Sequence, residues 1–486
     1  MAIRASDANY KWWALSCTSL GMLLATINSG TLIIALPDLE RSLHTTLLEL
    51  VWVILVYMIA STVLVLSAGR LSDQFGRKQA YIGGFVAFAL ASLGAGFAAN
   101  GTELILWRIL QGIGGSFLFA NAAAIVTDAF PRQQLGLAMG TNTMVAAVGL
   151  VIGPVLGGAL VAISWHWVFW FNVPFALLGS GWAALVLREL TGRSEDTAFD
   201  AAGTAAFLIG LTGLVLGISK GGISGWDSTV VIGGLIAAVV LLPAFVVIER
   251  HHRTPMLDLA IFSDRLFSAA AAAAFINGLA RFALMFVFVF YFQGVQGNSP
   301  ILAGLKLAPL AVGMLVSSPL AGIWADRRGS RGMAVLGMLV GAAGLALMTT
   351  LGRDTTYLAS GLYLFVVGLG SGMFNSPNTA AMMGTVAAHR RGIAAGARVL
   401  VQNTGAVISI AFVIAVVTSS VPKTVLFKVF SGLANHISNA ELTPFISNMH
   451  TALWTLAAVS LVGAFVAAAR PKHVETTLVQ PEAALP

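Results

Sequence analysis

The stretch "GRLSDQFGRK" at residues 69–78 returns as "GIWADRRGSR" at 322–331, where Gly69, Asp73 and Gly76 match Gly322, Asp326 and Gly329 at a single offset of 253. Further along, "LQGIGGSF" at 110–117 resembles "VVGLGSGM" at 366–373. "GLAMG" at 136–140 resembles "GIAAG" at 392–396, again at an offset of 256. The three-residue drift corresponds to one loop insertion. Self-similarity of this kind predicts two related units in one chain.

Composition says what the units are made of. The chain of 486 residues is 57% hydrophobic and 10% charged, against roughly 25% charged in an ordinary soluble domain. Apolar runs of about 20 residues, the length that crosses ~30 Å of hydrocarbon, recur from Trp12 to Ala469. Fourteen are counted: 12–37, 50–68, 79–99, 103–126, 135–162, 166–187, 200–218, 228–248, 266–292, 301–324, 332–351, 356–383, 392–418 and 450–469. They predict an all-α polytopic membrane protein with two pseudo-symmetric six-helix halves, 1–190 and 262–470, around an inserted helix pair in 191–261. The segment 419–449 reads as an outside hairpin or short amphipathic helices, and 471–486 as a disordered tail.

The net charge of +7 reports orientation rather than a nucleic-acid partner. With fourteen spans and an inside N-terminus, inside loops hold 18 Lys and Arg, outside loops 5, and the spans 4. That asymmetry follows the positive-inside rule and predicts cytoplasmic termini. The single cysteine, Cys17, permits no intramolecular disulfide. The first run is too long for a secretory leader and is predicted to stay as a helix.

Four motifs carry chemistry. In "GRLSDQFGRK" two glycines allow a tight turn, Asp73 is placed to accept hydrogen bonds at a helix end, and Arg77 and Lys78 stay at the cytoplasmic surface. "RILQG" at 108–112 puts Arg108 and Gln111 on one helix face. In "GLVIGPVLGG" at 149–158, Gly149, Gly153, Gly157 and Gly158 permit close helix approach, and Pro154 removes a backbone bond. The equivalent "GAVISIAFVI" at 405–414 keeps only its first glycine, so shared ancestry does not explain the motif. "WHWVFWFNVP" at 165–174 is an aromatic entry to the sixth run.

Together these stretches resemble the major facilitator superfamily, in particular its fourteen-helix drug:proton antiporter branch, over nearly the whole chain. The resemblance implies the major facilitator fold, with 69–78 as the cytoplasmic gating loop and 149–158 as the exporter motif. It links Arg108 to proton coupling. It further implies a monomeric secondary active transporter of the inner membrane that exports amphiphilic small molecules by alternating access in exchange for protons. No cofactor, metal or nucleic acid is expected.

The chain departs from its relatives at a decisive place. Many carry an acid in the first helix before an Ala-Leu-Pro; aligned on Ala35, Leu36 and Pro37, that position is Asn28, and the threonine two residues on is Gly30. Proton coupling then needs another carrier, and Glu49, Asp128, Glu103 and His166, with His450, are the remaining choices. The alternative is export of a lipid or anionic metabolite without proton coupling.

None of the 20 Asp and Glu lies near the middle of a run, whereas Arg108, Arg281 and Arg398 do lie inside runs and Lys306 lies near the outer end of one. Charges at such depth are costly and mark function by default. Asn277 with Arg281, and Arg398 with Gln402, are spaced i, i+4, and the offset of 253 sets Asn28 opposite Arg281. The expected substrate cavity is therefore lined by Asn28, Arg108, Gln111, Asn277, Arg281, Arg398 and Gln402 and favours acidic groups. Asn121, Asn375, Asn378 and Asn403 are further polar candidates. The other use of these arginines is structural, hydrogen bonding to helix-end carbonyls or to a partner acid. No H-x-x-x-H, C-x-x-C or mid-span acid pair suggests an enzyme.

Overall fold

The computed structural model describes residues 9–131, 134–189, 200–252, 255–386, 391–430 and 437–470. Its elements are α1 (Tyr10–Leu43), α2 (Leu47–Phe75), α3 (Arg77–Ala95), α4 (Gly101–Ala129), α5 (Leu135–Ile163), α6 (His166–Trp170), α7 (Asn172–Val186), α8 (Ala201–Ser224) and α9 (Thr229–His251). A short 3₁₀ turn (Leu259–Ser263) leads into α10 (Arg265–Phe290), which ends in a π-helical turn (Tyr291–Val295). Then come α11 (Pro300–Arg328), α12 (Ser330–Met348), α13 (Tyr357–Gly384), α14 (Arg391–Thr418), α15 (Lys423–Phe430) and α16 (Asn439–Ala468). Among the described residues there is no strand, as expected where hydrocarbon offers no partner to an open backbone.

Among the described residues, twelve helices, with α6 and α7 joined as one, are long and apolar enough to cross a membrane. The expected runs 79–99 and 135–162 form α3 and α5, helices of 19 and 29 residues that stand beside these twelve. In α3 the first turn is polar, with Arg77, Lys78 and Gln79. The segment 419–449 divides: α15 is a short helix of its own, and the rest from Asn439 belongs to α16. A capping box of Ser438 and Glu441 starts that helix eleven residues earlier than the apolar run suggests.

The motif that opened the sequence is mostly helix. Residues 69–75 are the last turns of α2, and only Gly76 breaks the chain, at φ +104°. Gly329 does the same between α11 and α12, at φ +83°. A side chain is disfavoured at such angles, so each connector needs its glycine. Gly69 and Gly322, expected in the turns, instead pack: they face Ala120 and Ser376 on α4 and α13.

That last pair shows the repeat in three dimensions, because 69 and 322 differ by 253 while 120 and 376 differ by 256. The same registers recur where helices touch through their backbones. A Cβ on Gly114 would lie 2.9 Å from the Gly84 carbonyl, and one on Gly370 would lie 2.6 Å from the Gly337 carbonyl. Likewise Gly112 meets the Tyr57 carbonyl and Gly368 the Leu310 carbonyl. Helices α2, α3 and α4 and helices α11, α12 and α13 are thus packed alike, by small residues that let backbones approach.

Helix α5 has two working faces. Gly149, Gly153 and Gly157, one turn apart, lie on α1: Cβ atoms at Gly153 and Gly157 would lie 3.0 Å from the Gly30 Cα and 2.7 Å from the Thr31 Cα. The adjacent face meets α11: a Cβ at Gly158 would lie 2.6 Å from the Ile301 Cα, and Gly304 abuts the Pro154 carbonyl. Both contacts with α11 lie at the end of the bundle away from 69–78, called here the far end; the other is the loop end. Gly30 is therefore a close-packing residue, matched to Gly153.

The inserted pair closes the seam between the two repeats. Helix α8 packs on α9, α2 and α14. Thr204 of α8 shares a 3.0 Å hydrogen bond with Ser67 of α2, and Thr418 of α14 donates to the Gly222 carbonyl at 3.2 Å. Helix α9 turns apolar side chains such as Val239 outward.

A leucine at Gly158 has no room against Ile301, and overpacking of this kind costs roughly 1–3 kcal/mol. Gly158→Leu is expected to lower the thermal unfolding temperature of the purified protein and to abolish transport. Gly83→Leu, at a position with open space around it, is expected to do neither.

Candidate functional site

The polar residues inside the bundle fall into two clusters, one in each repeat. In the first, Arg108 of α4 donates from Nε to the Val53 carbonyl at 3.0 Å and from Nη1 to Gln111 Oε1, and its guanidinium lies 4.2 Å from the Tyr57 ring centroid. Gln111 passes the chain on, donating to Ser92 of α3 at 2.7 Å and to Asn28 of α1 at 3.2 Å. Asn28 Oδ1 also accepts from Asn172 of α7 at 3.3 Å. Asn28, Arg108 and Gln111 are at most 1% exposed. The guanidinium is held by a carbonyl, an amide and an aromatic face, and among the described residues it has no carboxylate partner.

The second cluster stands on α10, α13 and α14. Arg281 donates to Ser371 Oγ at 2.8 Å and to the Gly337 carbonyl at 2.7 Å, tying α10 to α13 and α12. One turn away, Asn375 Oδ1 accepts from Asn277 and from Gln402, each at 3.4 Å, and Gln402 in turn accepts from Arg398 at 2.9 Å. Arg398, Gln402 and Asn375 are half-buried.

These bonds separate residues that the sequence groups together. Asn28 and Arg281 occupy equivalent positions but do not meet. Each ties the first helix of its repeat to the third and fourth: Asn28 through Gln111 and Ser92, Arg281 directly through its long side chain. The four residues Asn277, Arg281, Arg398 and Gln402 likewise split, since Arg281 turns to α12 while the other three join at Asn375. Of the further amides, Asn121 bonds Ser72 at 2.8 Å, and Asn378 accepts from Arg470 while donating to the Ala270 carbonyl at 3.3 Å. Burial draws the pKa of Arg470 down to about 10.

At the loop end, Arg77 pairs with Asp73 at 2.8 Å and with Asp128 of α4. A residue that the sequence does not single out completes the arrangement. Glu189, just past α7, accepts from the backbone N–H groups of Arg77 and Lys78 at 2.8 and 3.2 Å, and Lys78 Nζ donates to the Ala184 carbonyl at 2.8 Å. A carboxylate on the open N–H groups of a helix start is the favourable sign of charge there. The connection between α2 and α3 is thereby fastened to α4 and α7.

The helix-end acids and His166 are engaged in local bonds. Glu49 forms a capping box with Thr46 and accepts from Thr102 at 3.2 Å. Glu103 accepts from Ala99 N at 3.0 Å. His166 Nδ1 is 2.7 Å from Ser164 Oγ, with its ring stacked on Trp165. His450 faces the Leu351 carbonyl at 2.6 Å. Asp128 is the partner of Arg77. At the far end, Gln293 in the π-helical turn donates to the Ile34 carbonyl at 3.1 Å, a polar link between the repeats.

Three more residues link helices through polar bonds without having been expected. Asn172 lies inside the quoted aromatic stretch. Asn142 of α5 is equivalent to Arg398 at the offset of 256; it accepts from Ser19 at 2.8 Å and donates to Thr18 at 3.3 Å, pinning α5 to α1. Ser371 receives Arg281. The repeat offset applied to Arg398 would have found Asn142; nothing local marks the other two.

Known proteins share the architecture. The family model described as "Major Facilitator Superfamily" matches residues 18–410. The chain is 29% identical to the tetracenomycin C resistance and export protein of Streptomyces glaucescens, covering 81% of this chain and 73% of that one. It is 28% identical to the multidrug transporter protein MdtP of Bacillus subtilis (88% and 78% covered) and 31% identical to the puromycin resistance protein pur8 of Streptomyces alboniger (84% and 82%). Among solved structures, the human organic anion transporter MFSD10 superposes with a TM-score of 0.63 at 15% identity, covering 94% of this chain and 99% of that one. A D-xylose–proton symporter superposes with 0.65 at 14%, covering 95% and 98%, and both likenesses bear on the fold alone. Helix order, paired glycine contacts and family match agree: the chain belongs to the Major Facilitator Superfamily.

Proposed function

We propose that the protein exports amphiphilic small molecules of the antibiotic or drug class across the cell membrane, with a preference for those bearing an acidic group. The relatives named for tetracenomycin, puromycin and multidrug export support the class of cargo. The acidic preference is carried by one observation: Arg398, Gln402 and Asn375 form a half-buried polar chain between α14 and α13 that, among the described residues, bears a cation and no carboxylate. A guanidinium with one amide partner keeps donors for a bidentate carboxylate or phosphate.

In this reading the loop end faces the cytoplasm, as the excess of Lys and Arg there indicates, and both termini are cytoplasmic. The two repeats, 1–190 and 262–470, rock against each other and open a cargo cavity between them to one side of the membrane at a time. The seam at α5 and α11 is the far-end gate, and the Arg77, Asp73, Asp128 and Glu189 assembly is the latch at the loop end. The cargo and protons are the partners of a monomer.

Proton exchange takes an unusual form here, because the residue joined to Arg108 through Gln111 is Asn28 rather than an acid. The N-terminal cluster then stays positive through the cycle, and protons are carried by another group or by the cargo itself. Restoring the acid tests this. Asn28→Asp places a carboxylate one glutamine away from Arg108, so uptake into inverted vesicles is expected to become more dependent on the pH gradient and to shift from acidic toward cationic cargo. An unchanged gradient dependence contradicts the assigned position.

The two arginines of the second cluster are expected to respond differently to removal. Arg398→Gln loses a charge-assisted bond of about 1.5–3 kcal/mol, or roughly tenfold or more in apparent affinity, for acidic cargo and little for neutral cargo. Arg281→Gln disturbs the link among α10, α12 and α13, and both cargo classes fall together. A panel of acidic, neutral and cationic compounds, tested in cells lacking other efflux pumps and then in proteoliposomes, reads both. Equal losses of acidic and neutral cargo in Arg398→Gln contradict the acidic preference.

A further inference from the structure

Two acids that no motif includes meet inside the loop end of the inserted pair. Asp200 caps α8, accepting from Gly203 N at 2.8 Å, and Glu249 in the last turn of α9 accepts from Leu257 N at 2.9 Å. Each is 2% exposed. Their second oxygens, Asp200 Oδ2 and Glu249 Oε1, have no donor, and both border the same face of Gly203. Both oxygens lie within 3 Å of one point, the place that a Cβ on Gly203 would take, so the two carboxyl groups face each other there.

As two carboxylates they cannot satisfy one another, because an ionised carboxyl group only accepts. Each would leave a lone pair buried without a donor, beside a like charge. A single proton between them removes both defects, since the protonated group donates to the other. Among the described residues no donor reaches either oxygen. Arg70 of α2 acts on both acids from a distance and spends a guanidinium hydrogen on the Pro255 carbonyl. His252, after α9, has Nε2 3.9 Å from Asp200 Oδ1, the oxygen already engaged with Gly203. Asp73 and Asp258 act on Arg70 and add negative charge nearby.

We propose that Asp200 and Glu249 form a proton-binding site that couples pH at the loop end to the gating connection between α2 and α3. Its ligand is one proton, taken from solvent at that end and shared between Oδ2 and Oε1. Loss of the proton leaves two adjacent negative charges under the inserted pair. Their repulsion is relieved by drawing Arg70 inward or by parting α8 from α9. Either movement acts on α2, because Arg70 lies six residues before Gly76 and Ser67 is bonded to Thr204. The site lies apart from Asn28 and Arg398, and it does not depend on whether the transport step itself exchanges protons.

Infrared difference spectroscopy of the purified full-length protein in nanodiscs, titrated from acid to alkaline pH, detects the carbonyl stretch of a buried protonated carboxyl group. That band is expected in the wild type at neutral pH, is expected to disappear in both Glu249→Gln and Asp200→Asn, and is expected to persist in Asp227→Asn, an exposed control. Its absence from the wild type, or its persistence in both variants, overturns the site. Transport at varied pH on the loop side then reads the coupling: the wild-type rate changes with pH and the Glu249→Gln rate is flat. A wild-type rate that follows pH equally in Glu249→Gln, with the band lost, overturns the coupling. No transport of any probe in the wild type counts against the exporter reading and leaves the infrared result to decide the proton site.

Discussion

Close approach of helix backbones through glycine is the constraint on which everything else in this molecule depends. Lipid tails are as apolar as leucine, so burying leucine gains little between helices in a bilayer; what remains is contact and hydrogen bonding. Gly114 on Gly84, Gly370 on Gly337, and Gly153 on Gly30 bring backbones to distances that no side chain permits. Polar side chains such as Gln111 and Arg281 can span from helix to helix only because the helices are already that near. The same contacts determine where movement is possible: the three glycines of α5 on α1 lie within one repeat, whereas Gly158 on Ile301 crosses between repeats.

The two repeats share packing but divide the chemistry. The first encloses its arginine completely, with Asn28 as a neutral acceptor at the end of the bond chain. The second places one arginine in an equivalent structural link and leaves another, Arg398, half-buried beside Gln402. Ancestral duplication accounts for the shared scaffold; at matched positions Asn142 is neutral and Arg398 carries a charge. The inserted pair adds contacts to both sides of the seam, to α2 at the loop end and to α14 at the far end, so it can report one half's position to the other.

Much of the fold was legible in the sequence because it is periodic at two scales: apolar runs mark the helices, and the offsets of 253 and 256 recur in which residues touch. The turn glycines Gly76 and Gly329 were legible too, though their partners Gly69 and Gly322 turned out to be packing residues. The direction of long side chains was not. An i, i+4 spacing puts Asn277 and Arg281 on one face, but the guanidinium reaches far enough to choose α12 over the space beside Asn375. Glu189 and the Asp200–Glu249 pair were not legible at all, since each acts on residues far away in the chain and belongs to no repeated motif.

Motion at the far-end seam is the central claim, and a distance measured across it tests that claim most directly. Spin labels at Ile163→Cys on α5 and Leu302→Cys on α11, in a Cys17→Ala background, report the separation of the two repeats by double electron–electron resonance. A short distance matching the packed seam is expected without cargo, with a second, longer population appearing when a transported compound is added. One unchanged distance in samples that are shown to transport would contradict the assignment of the α5–α11 contact as the gate.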